Sequence, residues 1–216
     1  MKTLLAALCL AGSLAAQQRM EVTLERQQAS EWKTVDPGLV FDSGDRVRFR
    51  FRANFDGYLY VMNSGTSGSY SLLFPRDETG RDNRIESSKE YLIPATQAWF
   101  RIGGPPGQDV VYWLVSPVPL AGGGSGFVPT PPKPVPPKIL LPRCDDSILR
   151  ARGLCIDSSA GLRGISESEE LPANLKGVPR AGSRELIIMS QQSSSQISSP
   201  VPLKGPVLYE FRLAHR

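Results

Sequence analysis

Polar and apolar side chains alternate over much of residues 44–63, GDRVRFRFRANFDGYLYVMN. In an extended chain, Val47, Phe49 and Phe51 fall on one side. The other side carries Arg46, Arg48, Arg50 and Arg52. This period of two predicts a β-strand with one buried face. Further short runs rich in β-branched and aromatic residues, separated by turn sequences, indicate an all-β fold, either an antiparallel sandwich or an open barrel.

The Asp56-Gly57 step predicts that the chain turns back as a β-hairpin after the arginine strand. A three-residue loop keeps the apolar side chains of both strands on one face, whereas a two-residue loop moves those of the second strand beside the arginines. We therefore expect the three-residue loop, which sets Arg52 opposite Tyr60. In that register Tyr60 lies among the arginines.

The chain begins with MKTLLAALCLAGSLAAQQ, in which a lysine precedes an apolar run that is too short to span a bilayer. Small residues follow the run, so residues 1–16 are interpreted as a secretory signal peptide that is cleaved near Ala15 or Ala16. The alternative is a buried N-terminal helix. We expect a secreted or periplasmic protein without a membrane span.

Three regions follow the signal sequence. Residues 17–120 hold the β pattern, residues 121–142 are rich in proline and glycine, and residues 143–216 are polar. The last region is too poor in large apolar residues to build a core of its own. It nevertheless contains strand-like runs at about 184–190 and 206–214, which we expect to dock on the β domain of residues 17–120. The Pro/Gly-rich linker is then a long excursion from one β domain. The alternative is a disordered tail.

Removal of the signal peptide leaves Cys144 and Cys155. An even number of cysteines in an oxidising compartment predicts one structural disulfide, worth about 2–3 kcal/mol on the chain-entropy model. A redox pair or half of a metal site is the alternative, but the spacing differs from C-x-x-C and no histidine lies nearby in the sequence. Residues 156–182, with several glycines, are expected to form a loop or to be poorly ordered.

The formal net charge of +4 falls to +3 when Lys2 leaves with the signal peptide. Such a mild charge, with no interleaved basic cluster, argues against binding to nucleic acid.

The sequence has one histidine, His215, next to the last residue, where we expect the chain to fray. A Ser-His-Asp or Cys-His mechanism needs a positioned imidazole, and histidine-based zinc sites are disfavoured on the same count. We therefore predict that the protein is not an enzyme and uses no cofactor. The alternative is a hydrolase of unrecognised type with carboxylates from loops 76–83 or 143–170. Its candidate residues are Asp77, Glu78, Asp82, Asp145, Asp146, Glu169 and Glu170.

The arginine side of the strand is the candidate binding site. Alternating charge is common on the solvent side of a half-buried strand, so the arginines are expected first of all to keep the sheet soluble. The functional alternative is an anion-binding face for acidic glycans, envelope polymers or an acidic protein. That candidate face consists of Arg46, Arg48, Arg50, Arg52 and Tyr60. The polyproline-like residues 129–138 are an alternative partner contact or a spacer.

Residues 44–120 contain six short sequences whose order and spacing carry a family resemblance. They are GDRVRFRF, DGYLYVMN, LFP, DNRI, YLIPA and GGPPGQDVVYWLVSPVPL. Together they resemble the bacterial domain of unknown function 4384, although the long Pro-rich and cysteine-containing segment departs from the usual pattern. The resemblance implies a secreted or envelope β module and supplies no established reaction or catalytic residue. We therefore predict a non-catalytic secreted or periplasmic module that binds an unknown protein or polysaccharide.

Overall fold

The computed structural model describes residues 17–120, 140–145, 147–166, 168–175, 178, 187–190, 194–199 and 205–216. The strands in these ranges are β1 (Gln18–Gln28), β2 (Glu31–Thr34), β3 (Arg46–Ala53), β4 (Gly57–Ser64), β5 (Tyr70–Phe74), β6 (Arg84–Ile85), β7 (Glu90–Ile93), β8 (Phe100–Arg101), β9 (Gly107–Ser116), β10 (Gly161–Gly164), β11 (Ile187–Ser190), β12 (Ser195–Ser199) and β13 (Val207–His215). The described helical pieces are α1 (Ser147–Ala151) and a 3-10 turn at Ala173–Leu175. None of the described helices is long and apolar enough to cross a membrane.

The strands form two antiparallel sheets that pack face to face. The first sheet has the order β11-β12-β1-β3-β7, with β2 paired to β1 and β8 paired to β3. The second sheet has the order β10-β13-β9-β4-β5, with β6 paired to β4. Inward side chains of both sheets belong to one apolar cluster. The prediction of an all-β antiparallel sandwich is confirmed, and the sheets do not close into a barrel.

Aromatic rings join the two sheets at the centre of the sandwich. The ring of Phe49 on β3 meets Trp113 on β9 edge to face at 5.2 Å and Phe211 on β13 at 5.4 Å between centroids. Trp113 also stacks on Tyr209 at 6.2 Å. Such pairs add about 0.5–1.5 kcal/mol each beyond the area that they bury. The apolar positions of β3 therefore face the core, as their period of two predicts.

The predicted hairpin between β3 and β4 is wrong. These strands lie in different sheets, where β3 pairs with β1 and β4 pairs with β9. Both arrangements bury the apolar sides of the two strands, so the alternation alone does not distinguish them. Gly57 serves close packing instead of a hairpin turn, because a Cβ there would lie 2.8 Å from the carbonyl oxygen of Ser116.

The C-terminal strands complete both sheets, as predicted for the end of the chain. All nine residues of β13 pair with β9, and β12 pairs with β1. The described part of the predicted 184–190 strand is β11, which pairs with β12. The signal sequence at residues 1–16 and most of the Pro/Gly-rich linker lie outside the described residues.

Two expectations about the polar region are wrong. Residues 161–164 are not a loop, because they form β10 at the edge of the second sheet beside β13. His215 does not fray: it is the last residue of β13 and is fully buried. Strand pairing with β9 and packing between the sheets hold the terminus in place, which sequence position alone does not reveal. The predicted disulfide between Cys144 and Cys155 is present.

Candidate functional site

The arginine side chains of β3 project from the outer side of the first sheet, which we call the arginine face. The face comprises the outward residues of β3 together with their neighbours on β1, β2, β7 and β8. Arg46 and Arg52, at the two ends of the row, are exposed, whereas Arg48 and Arg50 are half-buried. The row is therefore most accessible at its ends.

A buried carboxylate holds the middle of the row. Glu25 on β1 is 2% exposed, and its two oxygens accept from Arg48 Nε at 2.5 Å and from Arg50 Nε at 2.6 Å. Arg50 also donates through Nη1 to Glu90 on β7 at 2.8 Å. Hydrogen bonding to Glu25 raises the pKa of Arg50, which stays charged. The two central arginines are thus ion-pair partners that stabilise the sheet.

Two tryptophans lie against the row. The guanidinium of Arg46 sits 4.4 Å from the ring centroid of Trp99, and that of Arg48 sits 4.4 Å from the ring centroid of Trp32. Trp99 is 43% exposed, which is unusual for so large an apolar side chain. Cation–π contacts of this kind contribute about 0.5–1 kcal/mol at exposed sites and restrain the arginine heads. Sequence reasoning missed both rings, although alternation in the strand-like run AWFRIGG sets Trp99 on the same side as Arg101.

Positive charge exceeds negative charge on this face. Its arginines are Arg46, Arg48, Arg50, Arg52 and Arg101, and its carboxylates are Glu21, Glu25 and Glu90. Arg101 stands opposite Arg46, where the two like charges add. Within the described ranges neither Arg52 nor Arg101 forms an ion pair. The end of the row at Arg46 and Arg101 is therefore where an anion would gain most.

Tyr60 does not belong to the arginine face. It is fully buried on the outer side of the second sheet, in a cluster with Met62 and Leu114. Its hydroxyl accepts a hydrogen bond from the amide of Leu120 at 3.2 Å. The expectation that Tyr60 lies among the arginines is wrong because it depended on the β3–β4 hairpin.

Carboxylates of loop 76–83 form local contacts at the surface. Asp77 accepts two bonds from Arg81, at 2.6 and 2.8 Å, and Glu78 accepts one from Arg76 at 3.1 Å. The hydrogen bond from Arg81 lowers the pKa of Asp77. Both acids are exposed and paired with arginines of the same loop, which is typical of a charged surface hairpin.

A cavity of about 520 Å³ lies beside Gln108 and is bordered by residues 140–143, 145 and 157–159. Asp157 is fully buried at its wall and accepts from the amides of Arg143 and Ser159, the hydroxyl of Ser159 and the side chain of Gln108. Burial tends to raise the pKa of Asp157, but these hydrogen bonds together outweigh it and lower the pKa. Asp157 therefore joins the 140–159 loop to the second sheet as a satisfied carboxylate.

Asp145 lies at the rim of the same cavity, where one of its oxygens accepts from the amide and the hydroxyl of Ser158 at 3.1 and 2.7 Å. Asp146 lies outside the described residues. The structure does not bring the acids of loop 76–83 to this cavity, whose lining comes from other segments.

A charged network is buried on the outer side of the second sheet. Arg212 donates to Glu210 at 2.6 Å and to Glu169 at 3.0 Å. Burial is the main cause that raises the pKa of Glu210, and Arg212 partly opposes it. Sequence reasoning named Glu169 but missed Glu210 and Arg212, which stand two residues apart on β13 and therefore point the same way. Mutual neutralisation accounts for this network without a ligand.

His215 is held between the sheets near two polar side chains. Its Nε2 lies 3.5 Å from both Asp109 Oδ1 and Thr66 Oγ1. Both contacts are to one ring nitrogen, whereas a catalytic triad uses the two nitrogens for different partners. In the described part of the chain, no group of three or more His, Cys, Asp or Glu side chains is placed to hold a metal ion.

Part of the chain is similar to a known protein family. No curated protein and no solved structure matches the chain. Residues 40–119 match a family described as a domain of unknown function, DUF4384. This range contains β3 to β9, while β1, β2 and β10 to β13, which complete both sheets, lie outside it. The resemblance to domain of unknown function 4384 is thus confirmed over residues 40–119.

Proposed function

We propose that the protein is a non-catalytic β module outside the cytoplasm that binds an anionic partner through the arginine face. The observation that carries this proposal is the pair of arginine–tryptophan stacks on a solvent-facing sheet where arginines outnumber carboxylates. Guanidinium groups suit carboxylates and phosphates because they present several donors in one plane.

Two features support a location outside the cytoplasm. The first is the N-terminal sequence, which is typical of a secretory signal peptide. The second is the disulfide between Cys144 and Cys155, because such bonds persist in oxidising compartments.

Several observations favour binding over catalysis. The described acids of loop 76–83 are engaged in surface contacts, and Asp157 is saturated with donors. Glu169 and Glu210 share Arg212 as a counterion. These acids are engaged by partners at separate places in the fold, whereas hydrolysis by paired carboxylates needs two acids that converge on one substrate.

The sheet prepares the arginine heads for a partner. Arg46 rests on Trp99 and donates to Gln27 at 3.1 Å, so its side chain is restrained before binding. Glu25 fixes the two central heads in the same way. Restraining long side chains in advance reduces the entropy that binding would otherwise cost.

The test is to remove charge from the face. The triple variant Arg46→Gln, Arg52→Gln, Arg101→Gln, in a chain lacking residues 1–16, is titrated with sodium polygalacturonate, polyglutamate and polyphosphate. We expect wild type to bind at least one of these polyanions, and the variant to bind it about tenfold or more weakly, with a shallower salt dependence.

The matched control removes the same number of charges elsewhere. Arg76→Gln, Arg81→Gln, Arg84→Gln changes exposed arginines at the second sheet. It should bind like wild type. Equal losses in the two triple variants would show that net charge alone drives binding. Either that result or a wild type that binds none of the polyanions would refute the proposed function.

A further inference from the structure

The row of arginines along β3 indicates a partner with repeated charges. The four arginines of β3 occupy alternate positions, and alternate residues of a strand are about 6.6–6.8 Å apart. A small anion contacts one or two such heads, whereas an extended polymer contacts the row from Arg46 to Arg52. Arg101 widens the row beside Arg46. The face therefore fits a polyanion laid along or across β3.

Hydrogen-bond acceptors between the arginines indicate a polymer that also donates. Glu21 and Glu90 stand opposite Arg52 on either side of it, and Thr23 stands opposite Arg50. A polyphosphate offers these carboxylates no donor and is repelled by them. Sugar hydroxyls both donate and accept, so they satisfy acids and arginines on one surface.

The exposed ring of Trp99 indicates a partner with flat apolar surfaces. Arg46 contacts this ring, and Trp99 remains 43% exposed. Tryptophan combines a broad apolar body with a polar edge, which suits ligands that are both apolar and hydroxylated. A sugar ring that bears a carboxylate can stack its C–H face on Trp99 while its charge meets Arg46 or Arg101. A plain acidic polypeptide has no such rigid face.

We infer that the anionic partner is an acidic polysaccharide, a polymer of carboxylate-bearing sugars. This inference rests on the proposed function and names the partner class of the same face.

The test compares polygalacturonate with polyglutamate of similar charge number and with neutral dextran, by calorimetry or biolayer interferometry. The wild type should bind polygalacturonate several-fold more tightly than polyglutamate and should not bind dextran. Trp99→Ala should weaken polygalacturonate binding about tenfold and polyglutamate binding much less, because polyglutamate loses only the restraint on Arg46 and no stacking surface. Trp99→Phe should recover part of the loss, which separates ring stacking from a structural role.

The outcomes separate the two proposals. Polyglutamate or polyphosphate binding as tight as polygalacturonate, or equal losses on all polymers in Trp99→Ala, would overturn the polysaccharide inference and leave the anion-binding face intact. Dextran binding as tight as polygalacturonate would overturn the role of charge. If the arginine variants bind polygalacturonate like wild type, the proposed face itself fails. Leu154→Ala, an exposed apolar control, should bind like wild type.

Discussion

The two outer faces of the sandwich contrast sharply. The outer side of the second sheet is covered by residues 165–178 where they are described, a stretch that we call the covering segment. Its Ile165, Leu171 and Leu175 pack on Tyr60, Met62, Tyr112, Leu114 and Leu208. The outer side of the first sheet instead faces solvent with arginines at both ends of β3. Two similar antiparallel sheets therefore have different outer faces: one is a buried apolar layer and the other is a charged surface.

The contrast shows how surroundings decide what an ion pair does. On the second sheet, Glu210 and Arg212 are buried, and burial raises the pKa of Glu210. On the first sheet, Glu25 is equally buried, but its arginine partners reach water. The network of Glu210 and Arg212 on the second sheet neutralises charge under a cover. The network of Glu25 on the first sheet holds positively charged arginine heads at the surface. An arginine row is thus a candidate site only where its heads stay accessible.

The family match covers only part of the residues behind this contrast. The arginine row lies within residues 40–119, whereas Glu25 on β1 and the covering segment lie outside that range. Some of the residues that set the exposure and charge of the two faces are therefore contributed by the rest of this chain.

The largest expected effect is loss of the buried arginine. Arg212→Met leaves Glu210 and Glu169 without their shared counterion and should lower the free energy of unfolding by about 3 kcal/mol or more at neutral pH. The folded-state pKa of Glu210 already lies above its ordinary value of 4.5. The free energy of unfolding should therefore fall as pH rises from 4.5 through the folded-state pKa. Losing Arg212 raises this pKa further, so the deficit, measured by urea unfolding, should be larger at pH 8 than at pH 5.

The matched control is Arg48→Met on the open face. Arg50 still pairs with Glu25 in this variant, and the head of Arg48 is partly hydrated, so we expect a loss of about 1 kcal/mol. Equal losses for Arg212→Met and Arg48→Met would contradict the contrast between the covered and open faces.

A second pair of variants compares apolar packing on the two faces. Leu114→Ala removes a fully buried side chain beneath the covering segment and should cost about 2–4 kcal/mol. Leu92→Ala makes the same change opposite Arg50 on the open face, where the side chain is half-buried, and should cost under about 1 kcal/mol. Urea midpoints measured in parallel check both values. A Leu92→Ala loss as large as that of Leu114→Ala would mean that the first sheet is also covered.

Local alternation predicted the elements better than their partners. The period of two correctly placed Phe49 and Phe51 in the core and the arginines outside. It did not show whether β4 pairs with β3 or faces it across the core, because both choices bury Leu59 and Val61. That choice depends on β1 and β9, which occupy the neighbouring positions beside β3 and β4.

The side-chain contacts that sequence reasoning missed join residues that lie far apart in the sequence. Glu25 meets Arg48 only because β1 pairs with β3 in one register, and Glu169 meets Arg212 across 43 residues of chain. Such contacts have no local period. One signal was present: Tyr112 and Leu114 are large and face outward on β9, so a strand with two apolar faces indicates that something covers it.

The smallest predicted effect concerns the acid stability of the loop beside the covered face. The folded-state pKa of Asp157 lies below its ordinary value of 3.8, so its ionised form stabilises the protein above that pH. This stability should be lost as pH falls through the folded-state pKa. Asp157→Asn should be less stable than wild type at pH 7, and its thermal midpoint should fall less between about pH 5 and pH 2.

Asp77→Asn is the exposed control for this titration. Its carboxylate also has a lowered pKa, through Arg81, but it stands in water where the ion pair contributes little. Its thermal midpoints should follow those of wild type from pH 7 to low pH. If Asp157→Asn also follows the wild type, then the hydrogen bonds from Arg143, Ser159 and Gln108 do not secure the 140–159 loop.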